Sequence, residues 1–462
     1  MALRPPVGKV LRRMFSKVLI ANRGEFAVRI MRACEELGIA TVAVYSELDR
    51  DALHVKRADE AYLLGPGPAA ESYLAVNKLL DAIERSGAEA VHPGYGFLAE
   101  NPAFVAAWVD NDLVFIGPNA QVMARMGDKA QAKVELGGAG VPLVPGTEKG
   151  APLAEVRRAA DELGFPVLLK AAAGGGGKGM RLVDSPDELD AAFDAAAAEA
   201  QAAFGDGGLY LEKVIAPARH VEIQVLCDRH GNVLTLGERE CSIQRRHQKL
   251  IEESPSPALD PETREAMEAA AERACRTIGY ENAGTFEFLL GPDRSFSFIE
   301  LNARLQVEHP LSELCTGIDL VRQQVLIAEG EPLQATGRAP RRGHAIEIRI
   351  NAEDPARGFA PAPGRITRFR PPLGPGVRVD TWLEEGGTIP PYYDSLIAKL
   401  VVWDETRPAA LERALRALRE LELEGVPTTR EAALEIIATD EFRAGEYSTS
   451  WLEHAELEAV AL

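Results

Sequence analysis

The sequence contains 462 residues, of which 46% are hydrophobic and 26% are charged, and its formal net charge at pH 7 is −19. A chain of this length exceeds one ordinary hydrophobic core, so we expect about two to four domains or subdomains. No apolar run of roughly 18 residues is present, which argues against a membrane-spanning protein, and the acidic charge argues against a general nucleic-acid binder.

The cysteines and the first residues bear on where the protein acts. Five cysteines stand at irregular spacings with no Cys-x-x-Cys pair, which predicts reduced thiols in the cytoplasm. Residues 1–16 are rich in Arg and Lys but lack the apolar core of a secretory signal. We therefore predict a disordered extension over 1–16, with a basic targeting arm as the alternative.

The ordered part of the chain opens with alternating strands and helices. The pattern predicts a strand over 17–21, a turn at 22–25, an amphipathic helix that ends at Leu37 and a second strand over 40–45. The same alternation continues to about Gly117 and predicts a nucleotide-binding-like α/β domain.

A glycine run marks the next segment, which extends from about residue 127 to 213. A predicted strand over 166–170 leads into glycines at 174–177, and a strand over 180–183 and a helix at about 187–203 follow. Glycine N–H groups can approach phosphate oxygens without interference from a Cβ atom, and Lys129 and Lys170 are available as point charges. A surface hairpin would have the same letters, and the spacing fits neither a Walker loop nor a Rossmann fingerprint.

The remainder of the chain divides into two further patterns. Period-two alternation predicts an antiparallel sheet over about 214–301, and a helix follows at about 318–328. From about residue 342, short strands, Pro and Gly turns and helices at about 409–421 and 429–437 predict a separate α+β domain.

Two strands of the predicted antiparallel sheet carry polar side chains that suit a metal ion. Alternation places Glu287 on the face opposite two phenylalanines, while Glu300 and Asn302 share one face of the next strand. Two carboxylates and an amide oxygen form an all-oxygen site for Mg²⁺ or Mn²⁺, especially if substrate phosphates complete the coordination. The alternative is a pair of glutamates on a solvated sheet face.

The residues that follow the second strand weaken that alternative. Arg304, Gln306 and Glu308 continue the same alternation, and exposed strands rarely need so dense a polar ladder. Upstream, His220 and Glu222 share the face of another strand, and a basic run over 244–249 would lie beside the acidic residues, as anion recognition next to a metal requires. Taken alone, that basic run would be a solvated turn.

Nine motifs in a fixed order resemble the biotin carboxylases, the ATP-grasp component of acetyl-CoA and related acyl-CoA carboxylases. The resemblance covers about residues 17–456. The motifs are Ile-Ala-Asn-Arg-Gly-Glu at 20–25, His-Pro-Gly-Tyr-Gly-Phe-Leu at 92–98, Met-Gly-Asp-Lys at 126–129, Gly-Gly-Gly-Gly-Lys-Gly-Met at 174–180, Arg-His-Val-Glu-Ile-Gln-Val at 219–225, Gln-Arg-Arg-His-Gln-Lys at 244–249, Asn-Ala-Arg-Leu-Gln-Val-Glu-His-Pro at 302–310, Arg-Ile-Asn-Ala-Glu-Asp-Pro at 349–355 and Pro-Pro-Tyr-Tyr-Asp-Ser at 390–395.

The resemblance implies a mixed α/β and α+β chain with an ATP-grasp fold. It implies a Rossmann-like pre-ATP-grasp domain over 17–127, an ATP-grasp domain over 128–343 with a glycine-rich lid subdomain at about 144–214, and a C-terminal α+β domain over 344–458. One departure from many relatives is Lys178, where arginine is common; it leaves a cation beside the glycines.

The resemblance also implies roles for individual residues. The residues expected to bind ATP, directly or through its metal ions, are Lys129, Lys170, Gly176, Gly177, Glu212, Lys213, Val214, Ile215, His220, His247, Glu287 and Glu300. The residues expected to hold the metal are Glu287, Glu300 and Asn302. The residues expected to bind bicarbonate or biotin are Lys249, Arg304, Gln306, Val307, Arg349 and Tyr95. The expected catalytic groups are Glu308 as general base, Lys249 and Arg304 against the bicarbonate charge, and Arg349 facing the ureido oxygen of biotin.

The reaction implied is carboxylation of biotin with ATP and bicarbonate through carboxyphosphate, the first half-reaction of a carboxylase that serves fatty acid biosynthesis. The sequence ends without a Met-Lys-Met biotinylation motif. The expected partners are therefore a separate biotin carboxyl carrier protein and carboxyltransferase subunits, and the family suggests a cytoplasmic homodimer.

Two alternatives compete with this interpretation. Another ATP-grasp ligase, related to carbamoyl-phosphate synthases or amino-acid ligases, would share the ATP and metal residues but would not need Lys249, Arg304, Glu308 and Arg349 together. A catalytically silent nucleotide-binding scaffold would not need intact metal and base positions.

Overall fold

The computed structural model of the chain describes residues 14–127, 129–172 and 180–457, without the side chains of residues 129, 130 and 204. Most of the predicted extension therefore lies outside the described residues. At its end, however, the side chain of Phe15 is 1% exposed and packs with Val18 and Ile20 in an apolar core. The prediction of disorder up to residue 16 is wrong at Phe15, because burial of this aromatic side chain anchors the start of the first strand.

The N-terminal region alternates strands with helices, as predicted. Its elements are β1 (Lys17–Ile20), α1 (Gly24–Leu37), β2 (Ala40–Ser46), α2 (Leu53–Arg57), β3 (Glu60–Gly65), α3 (Val76–Ser86), β4 (Ala90–His92), α4 (Pro102–Val109), β5 (Val114–Phe115) and α5 (Ala120–Gly127). The strands form a five-stranded parallel sheet in the order β3-β2-β1-β4-β5. Gly38 ends α1 with a φ of 65°, a conformation that glycine adopts without strain, and the chain turns directly into β2.

The next region contains a small antiparallel sheet. Its elements are α6 (Lys129–Gly138), α7 (Leu153–Leu163), β6 (Val167–Ala171), β7 (Met180–Val183), α8 (Leu189–Phe204) and β8 (Leu209–Lys213). The strand order is β7-β6-β8, and Lys170 lies opposite Met180 in the β6–β7 ladder. The two strands predicted around the glycine run are thus confirmed as antiparallel neighbours, while the run itself lies outside the described residues.

The middle of the chain builds most of the largest sheet. Its elements are β9 (Arg219–Cys227), β10 (Val233–Arg245), β11 (Gln248–Ser254), α9 (Pro261–Ile278), β12 (Asn282–Leu290), β13 (Phe296–Asn302), α10 (His309–Thr316), α11 (Leu320–Ala328) and β14 (Gly337–Arg338). The strands β9 to β13 pair with one another in antiparallel ladders, as the period-two pattern predicts, while the short β14 pairs parallel with β10.

The C-terminal region has the predicted mixture of strands and helices. Its elements are β15 (His344–Asn351), β16 (Glu353–Asp354), β17 (Ala360–Pro361), β18 (Gly364–Arg365), β19 (Arg368–Arg370), β20 (Val377–Thr381), β21 (Thr388–Ile389), β22 (Leu396–Asp404), α12 (Arg407–Glu420), β23 (Glu422–Glu424), α13 (Arg430–Ala438) and α14 (Asp440–Ala444).

Three strands of the C-terminal region continue the central sheet instead of forming a separate one. The order along the sheet is β13-β12-β9-β10-β11-β15-β22-β20, with β14 beside β10. The junction is the antiparallel pairing of β11 with β15, where Ile251 lies opposite Ile348. The prediction of a separate α+β domain did not include this pairing, because the alternation within a strand does not identify its neighbour in the sheet.

The continuous sheet buries apolar side chains at both ends. Phe286 and Phe288 of β12 are fully buried with residues of α9, and Ile348 of β15 is fully buried with Leu411 and Leu418 of α12. No helix within the described residues combines the length and apolar character needed to cross a bilayer. Polar side chains lie on the opposite face of the middle strands of this sheet.

We expect Ile348→Ala to destabilise the protein by about 2–5 kcal/mol, because it leaves a cavity where β15 joins the two parts of the sheet. Chemical unfolding of the wild type and the variant measures this difference. Leu373→Ala is the control, since Leu373 is 76% exposed and should change stability by less than about 0.5 kcal/mol. Equal stability of the wild type and Ile348→Ala would contradict the packing of Ile348 between the sheet and α12.

Candidate active site

A cavity of about 700 Å³ opens on the polar face of the central sheet, next to the β6–β7 pair. We call it the central cavity. The predicted site residues that line it are Lys170, His220, His247, Lys249, Glu287, Glu300, Asn302, Arg304, Gln306, Val307, Glu308 and Arg349. The fold therefore brings the predicted metal, anion and base residues to one space, although they come from distant parts of the chain.

Three carboxylates form a row across neighbouring strands at the wall of the cavity. Glu287 of β12 lies directly opposite Glu222 of β9 on one side and Glu300 of β13 on the other. Directly opposite residues of a β-ladder share a face, and like charges in such positions repel. The row is therefore stable only if cations are placed against it.

The ammonium group of Lys249 supplies one of these cations. Its Nζ lies 2.7 Å from Oε2 of Glu222, 3.3 Å from Oε1 of Glu287 and 2.5 Å from Oε1 of Glu308. Burial alone would lower the pKa of Lys249, but these carboxylates raise it well above its usual value. Lys249 is thus a cation at neutral pH, fixed at the point where the acidic side chains converge.

Arg239 supplies a second cation beneath the cavity. Its side chain is fully buried, and its Nε donates to Glu222 at 2.6 Å while Nη1 and Nη2 donate to Gln224 at 2.7 Å and Gln306 at 2.8 Å. This residue was not predicted from the sequence. The available signal was its position opposite Glu222 in the β9–β10 ladder, which required the register of that hairpin.

Glu308 lies just before α10 and is 1% exposed. Its Oε1 accepts from Lys249, and its Oε2 accepts from Nη2 of Arg349 at 2.9 Å. Burial raises the pKa of Glu308, but the positive charges of Lys249, Arg349 and Arg239 lower it by more. The pKa therefore lies well below its usual range. The carboxylate is therefore ionised and clamped between two cations.

Arg304 approaches the cavity from the loop after β13. Its Nε donates to Glu100 at 2.8 Å and its Nη2 donates to Oδ1 of Asn302 at 2.9 Å. Glu100 also accepts the backbone N–H of Ala303 at 3.0 Å, which ties this loop to the N-terminal region. Glu100 was not predicted from the sequence, and no local pattern points to it because 204 positions separate it from Arg304.

Lys170 lines the central cavity from β6. Both Lys170 and Lys133 form ion pairs with Glu212. Burial raises the pKa of Glu212, but the two lysines lower it below its usual value. Lys133 is a further cation that was not predicted from the sequence, and its signal was its position on α6, one turn after Lys129.

Several predicted residues are placed elsewhere or lie outside the description. Among the described residues, Glu212, Lys213, Val214, Ile215 and Tyr95 do not line the central cavity. The hydroxyl of Tyr95 donates to Glu25 at 2.8 Å, and Nζ of Lys213 donates to the carbonyl of Gly164 at 2.8 Å. Gly176, Gly177 and the side chain of Lys129 lie outside the described residues.

The two glutamates predicted to hold a divalent cation fit that role chemically. Oε1 of Glu287 collects N–H groups from Asn302 at 2.7 Å and Gln306 at 2.8 Å, besides Lys249, and Oε2 lies 3.1 Å from Nε2 of His220. Burial raises the pKa of Glu287, but Lys249 and His220 lower it far below its usual range. The ionised Glu287 and the facing Glu300 offer carboxylate oxygens suited to Mg²⁺ or Mn²⁺, whereas Asn302 turns its N–H toward Glu287 and its Oδ1 toward Arg304.

Comparison with known proteins gives consistent matches along the chain. Three family models match: the biotin carboxylase N-terminal domain over 14–123, the ATP-binding domain of the carbamoyl-phosphate synthase L chain over 128–336, and the biotin carboxylase C-terminal domain over 347–454. The ATP-binding model alone would suit the rival ligase as well. The flanking models distinguish the two.

Relatives and solved structures agree with the flanking models. A biotin carboxylase of Nostoc is 52% identical over 95% of this chain and 99% of its own length. A pyruvate carboxylase subunit of Methanothermobacter thermautotrophicus is 51% identical over 95% of this chain and 90% of its own. The biotin carboxylase domain of Hydrogenobacter thermophilus 2-oxoglutarate carboxylase has a TM-score of 0.89 and 48% identity, covering 96% of this chain and 98% of that one. The chain therefore belongs to the biotin carboxylase family and has the ATP-grasp fold of that family.

Proposed function

We propose that the chain uses ATP and bicarbonate to carboxylate biotin, and that the central cavity is where the reaction takes place. The observation that carries the proposal is the contact series from Lys249 through Glu308 to Arg349, which lies beside the facing carboxylates Glu287 and Glu300. The Hydrogenobacter domain was solved with MgADP, ADP and bicarbonate, which supports these ligands. A rival ligase would not need this series.

Bicarbonate is a poor nucleophile, so the site has to cancel its charge and remove its proton. Lys249 and Arg304 would neutralise the anion, aided by the backbone N–H of Val307, whose carbonyl is held by Nζ of Lys399 at 3.0 Å. Gln306 links Arg239 to Glu287 and so fixes the wall beside it. The anion would then be aimed in line at the γ-phosphorus of ATP.

The low pKa of Glu308 is consistent with its proposed role as the base. In the resting site Lys249 and Arg349 stabilise the ionised carboxylate, which makes it a weak base. Bicarbonate that accepts the N–H groups of Lys249 takes part of that stabilisation away, and the pKa of Glu308 rises as its substrate arrives. Binding of the anion would thereby activate the base that deprotonates it.

The nucleotide would lie toward the β6–β7 pair. Lys129, Lys170, His220, His247 and the glycine run with Gly176 and Gly177 would hold its phosphates, and the segment 212–215 would meet adenine. Glu287, Glu300 and Asn302 would hold the divalent cation, which supplies charge neutralisation for the transferring phosphoryl group.

Arg349 is proposed to act on biotin. Cleavage of the C–O bond of carboxyphosphate would give carbon dioxide and phosphate. The phosphate would accept the proton of the ureido nitrogen of biotin. The deprotonated nitrogen would then attack carbon dioxide. The guanidinium of Arg349 would stabilise the negative ureido oxygen, and an arginine stays protonated throughout. Tyr95 stays a predicted substrate residue, since the positive charge of Arg349 acts on the pKa of its hydroxyl, which donates to Glu25.

The biotin is proposed to arrive on a carrier protein, and a carboxyltransferase would pass the carboxyl group to acetyl-CoA or another acyl-CoA. Similar proteins are named for pyruvate and 2-oxoglutarate carboxylases, which supports an acceptor chosen by the transferase and not by this chain. The Hydrogenobacter structure is described as a dimer, which supports a homodimer here. All five cysteines are free and buried.

Purified protein should hydrolyse ATP in the presence of Mg²⁺ only when bicarbonate is supplied, and the rate should rise when free biotin is added. Hydrolysis should depend on bicarbonate because bicarbonate, not water, is the proposed nucleophile. Biotin should raise the rate because it consumes the carbon dioxide formed from carboxyphosphate. Release of phosphate is measured with each component omitted in turn. Strong hydrolysis that is indifferent to both bicarbonate and biotin would contradict the proposal.

Glu308→Gln should lower bicarbonate-dependent turnover by about 10²–10⁴-fold, because the amide cannot accept the proton of bicarbonate. The KM for ATP should remain within about twofold, since Glu308 contacts Lys249 and Arg349 rather than the proposed nucleotide residues. Glu405→Gln, at an exposed position after β22, is the matched control. A parallel loss of ATP affinity would make Glu308 a structural residue instead.

A further inference from the structure

Two buried glutamates lie behind Arg349 and have no part in the proposed reaction so far. Glu252 of β11 and Glu347 of β15 are directly opposite each other in the antiparallel ladder, and both side chains are 0% exposed. Cβ atoms of directly opposite residues are about 4.5–5.5 Å apart, so the two carboxyl groups are neighbours. They share the face of the sheet that carries Arg349.

The hydrogen bonds of this pair are incomplete. Oε1 of Glu252 accepts from Nε of Arg349 at 2.6 Å. Oε2 of Glu252 and both carboxyl oxygens of Glu347 are buried and have no hydrogen-bond partner within the described part of the chain. Three carboxyl oxygens are thus removed from water without any donor.

Two ionised carboxylates could not be stable in this position. A buried charge without donors costs several kcal/mol, and two like charges directly opposite in a ladder repel. A proton on one carboxyl group removes one charge and also supplies the missing donor, because a carboxylic acid O–H can bond to the neighbouring carboxylate oxygen.

The surroundings do not remove the need for that proton. The titratable groups that face the pair from the neighbouring elements are Arg349 on β15, Lys399 on β22, Lys249 on β11, Glu308 before α10, Cys241 on β10 and Cys315 on α10. Burial raises the pKa of Glu347 well above its usual value despite the opposing effect of Lys399, and Glu252 raises it further. Burial also raises the pKa of Glu252 to about 7, although Arg349 opposes the shift.

We propose that Glu252 and Glu347 form a carboxylic acid–carboxylate pair that shares one proton and positions Arg349 toward the central cavity. The proton lies on Glu347 and donates to Oε2 of Glu252, whose Oε1 holds Arg349. Both glutamates are positioning residues, since they act through Arg349. The functional consequence rests on the proposed role of Arg349 in binding biotin.

The shared proton sets the balance of charge around Arg349. With it, the guanidinium lies between the carboxylates of Glu252 and Glu308, at 2.6 and 2.9 Å. Without it, Glu347 would add a second anion on the sheet side and draw the guanidinium away from Glu308. Loss of the proton should therefore weaken the interaction with biotin and leave ATP binding unchanged.

The first test detects the shared proton from the pH dependence of the free energy of unfolding, so it needs no catalytic activity. Above the usual carboxyl pKa the folded state keeps a proton that the unfolded chain has released, so the folded state becomes less stable as pH rises. Glu347→Gln removes this titration, because an amide keeps its N–H groups at every pH. The folded-to-unfolded ratio of the wild type should fall about tenfold per pH unit relative to Glu347→Gln, until the pair loses its proton.

Urea unfolding of the wild type, Glu347→Gln and Glu252→Gln between about pH 5.5 and 7.5 measures this difference. The folded-to-unfolded ratio of the wild type should fall with pH by the same amount relative to Glu252→Gln, because the amide of this variant can donate to an ionised Glu347. Glu252→Gln also serves as the second variant if Glu347→Gln does not fold. Glu405→Gln should follow the wild type. Curves of the wild type and the variants that run parallel across this range would overturn the shared proton.

The second test measures the effect on Arg349. Glu252→Gln should lower kcat/KM for biotin by about 10- to 100-fold, the usual reach of a hydrogen bond to a charged group, with an unchanged KM for ATP. The wild type should lose kcat/KM for biotin as the pair is deprotonated at high pH, and Glu347→Gln should lack this loss. An equal fall for ATP and biotin, or identical pH profiles, would overturn the positioning role. A wild type without biotin-dependent turnover would instead overturn the proposed function. The unfolding curves would still test whether Glu252 and Glu347 share a proton.

Discussion

The position of Lys249 among Glu222, Glu287 and Glu308 is the constraint on which the rest of the site depends. The sheet brings Glu222, Glu287 and Glu300 into a row on one face, an arrangement that repels itself unless cations are built in. Lys249 neutralises the row from the cavity side, and Arg239 does so from below with its guanidinium fully buried. The fold can therefore hold a concentrated negative surface of the kind that suits the proposed divalent cation.

The same contacts connect the chemical steps that we propose. Lys249 reaches Glu308, Glu308 reaches Arg349, and Arg349 reaches Glu252, each through one charge-assisted hydrogen bond. A ligand that draws charge away from Lys249 therefore changes the basicity of Glu308 and the hold on Arg349. Bicarbonate activation and the biotin step share one electrostatic network, which explains why the residues for both steps crowd into a single cavity.

The sequence predicted the faces of strands better than the neighbours of strands. Period two placed Glu287 opposite two phenylalanines and Glu300 on the same face as Asn302, because alternation is a local property of the extended chain. The motifs indicated the family for the same reason, since each is a short run. The alternation predicted to continue to Glu308 is not a strand, since β13 ends at Asn302 and Glu308 lies just before α10. Glu100 and the joining of β15 to β11 were missed because both depend on contacts between distant segments, for which the sequence has no periodic signal.

In the proposed mechanism bicarbonate, held by Lys249 and Arg304 and deprotonated by Glu308, attacks the γ-phosphorus of ATP. Turnover with bicarbonate labelled with ¹⁸O at all oxygens, followed by mass analysis of the inorganic phosphate, identifies the nucleophile. We expect one labelled oxygen in each phosphate, because the bridging oxygen stays on phosphorus when the C–O bond of carboxyphosphate breaks. Phosphate that carries no label would mean that water is the nucleophile and would rule this mechanism out.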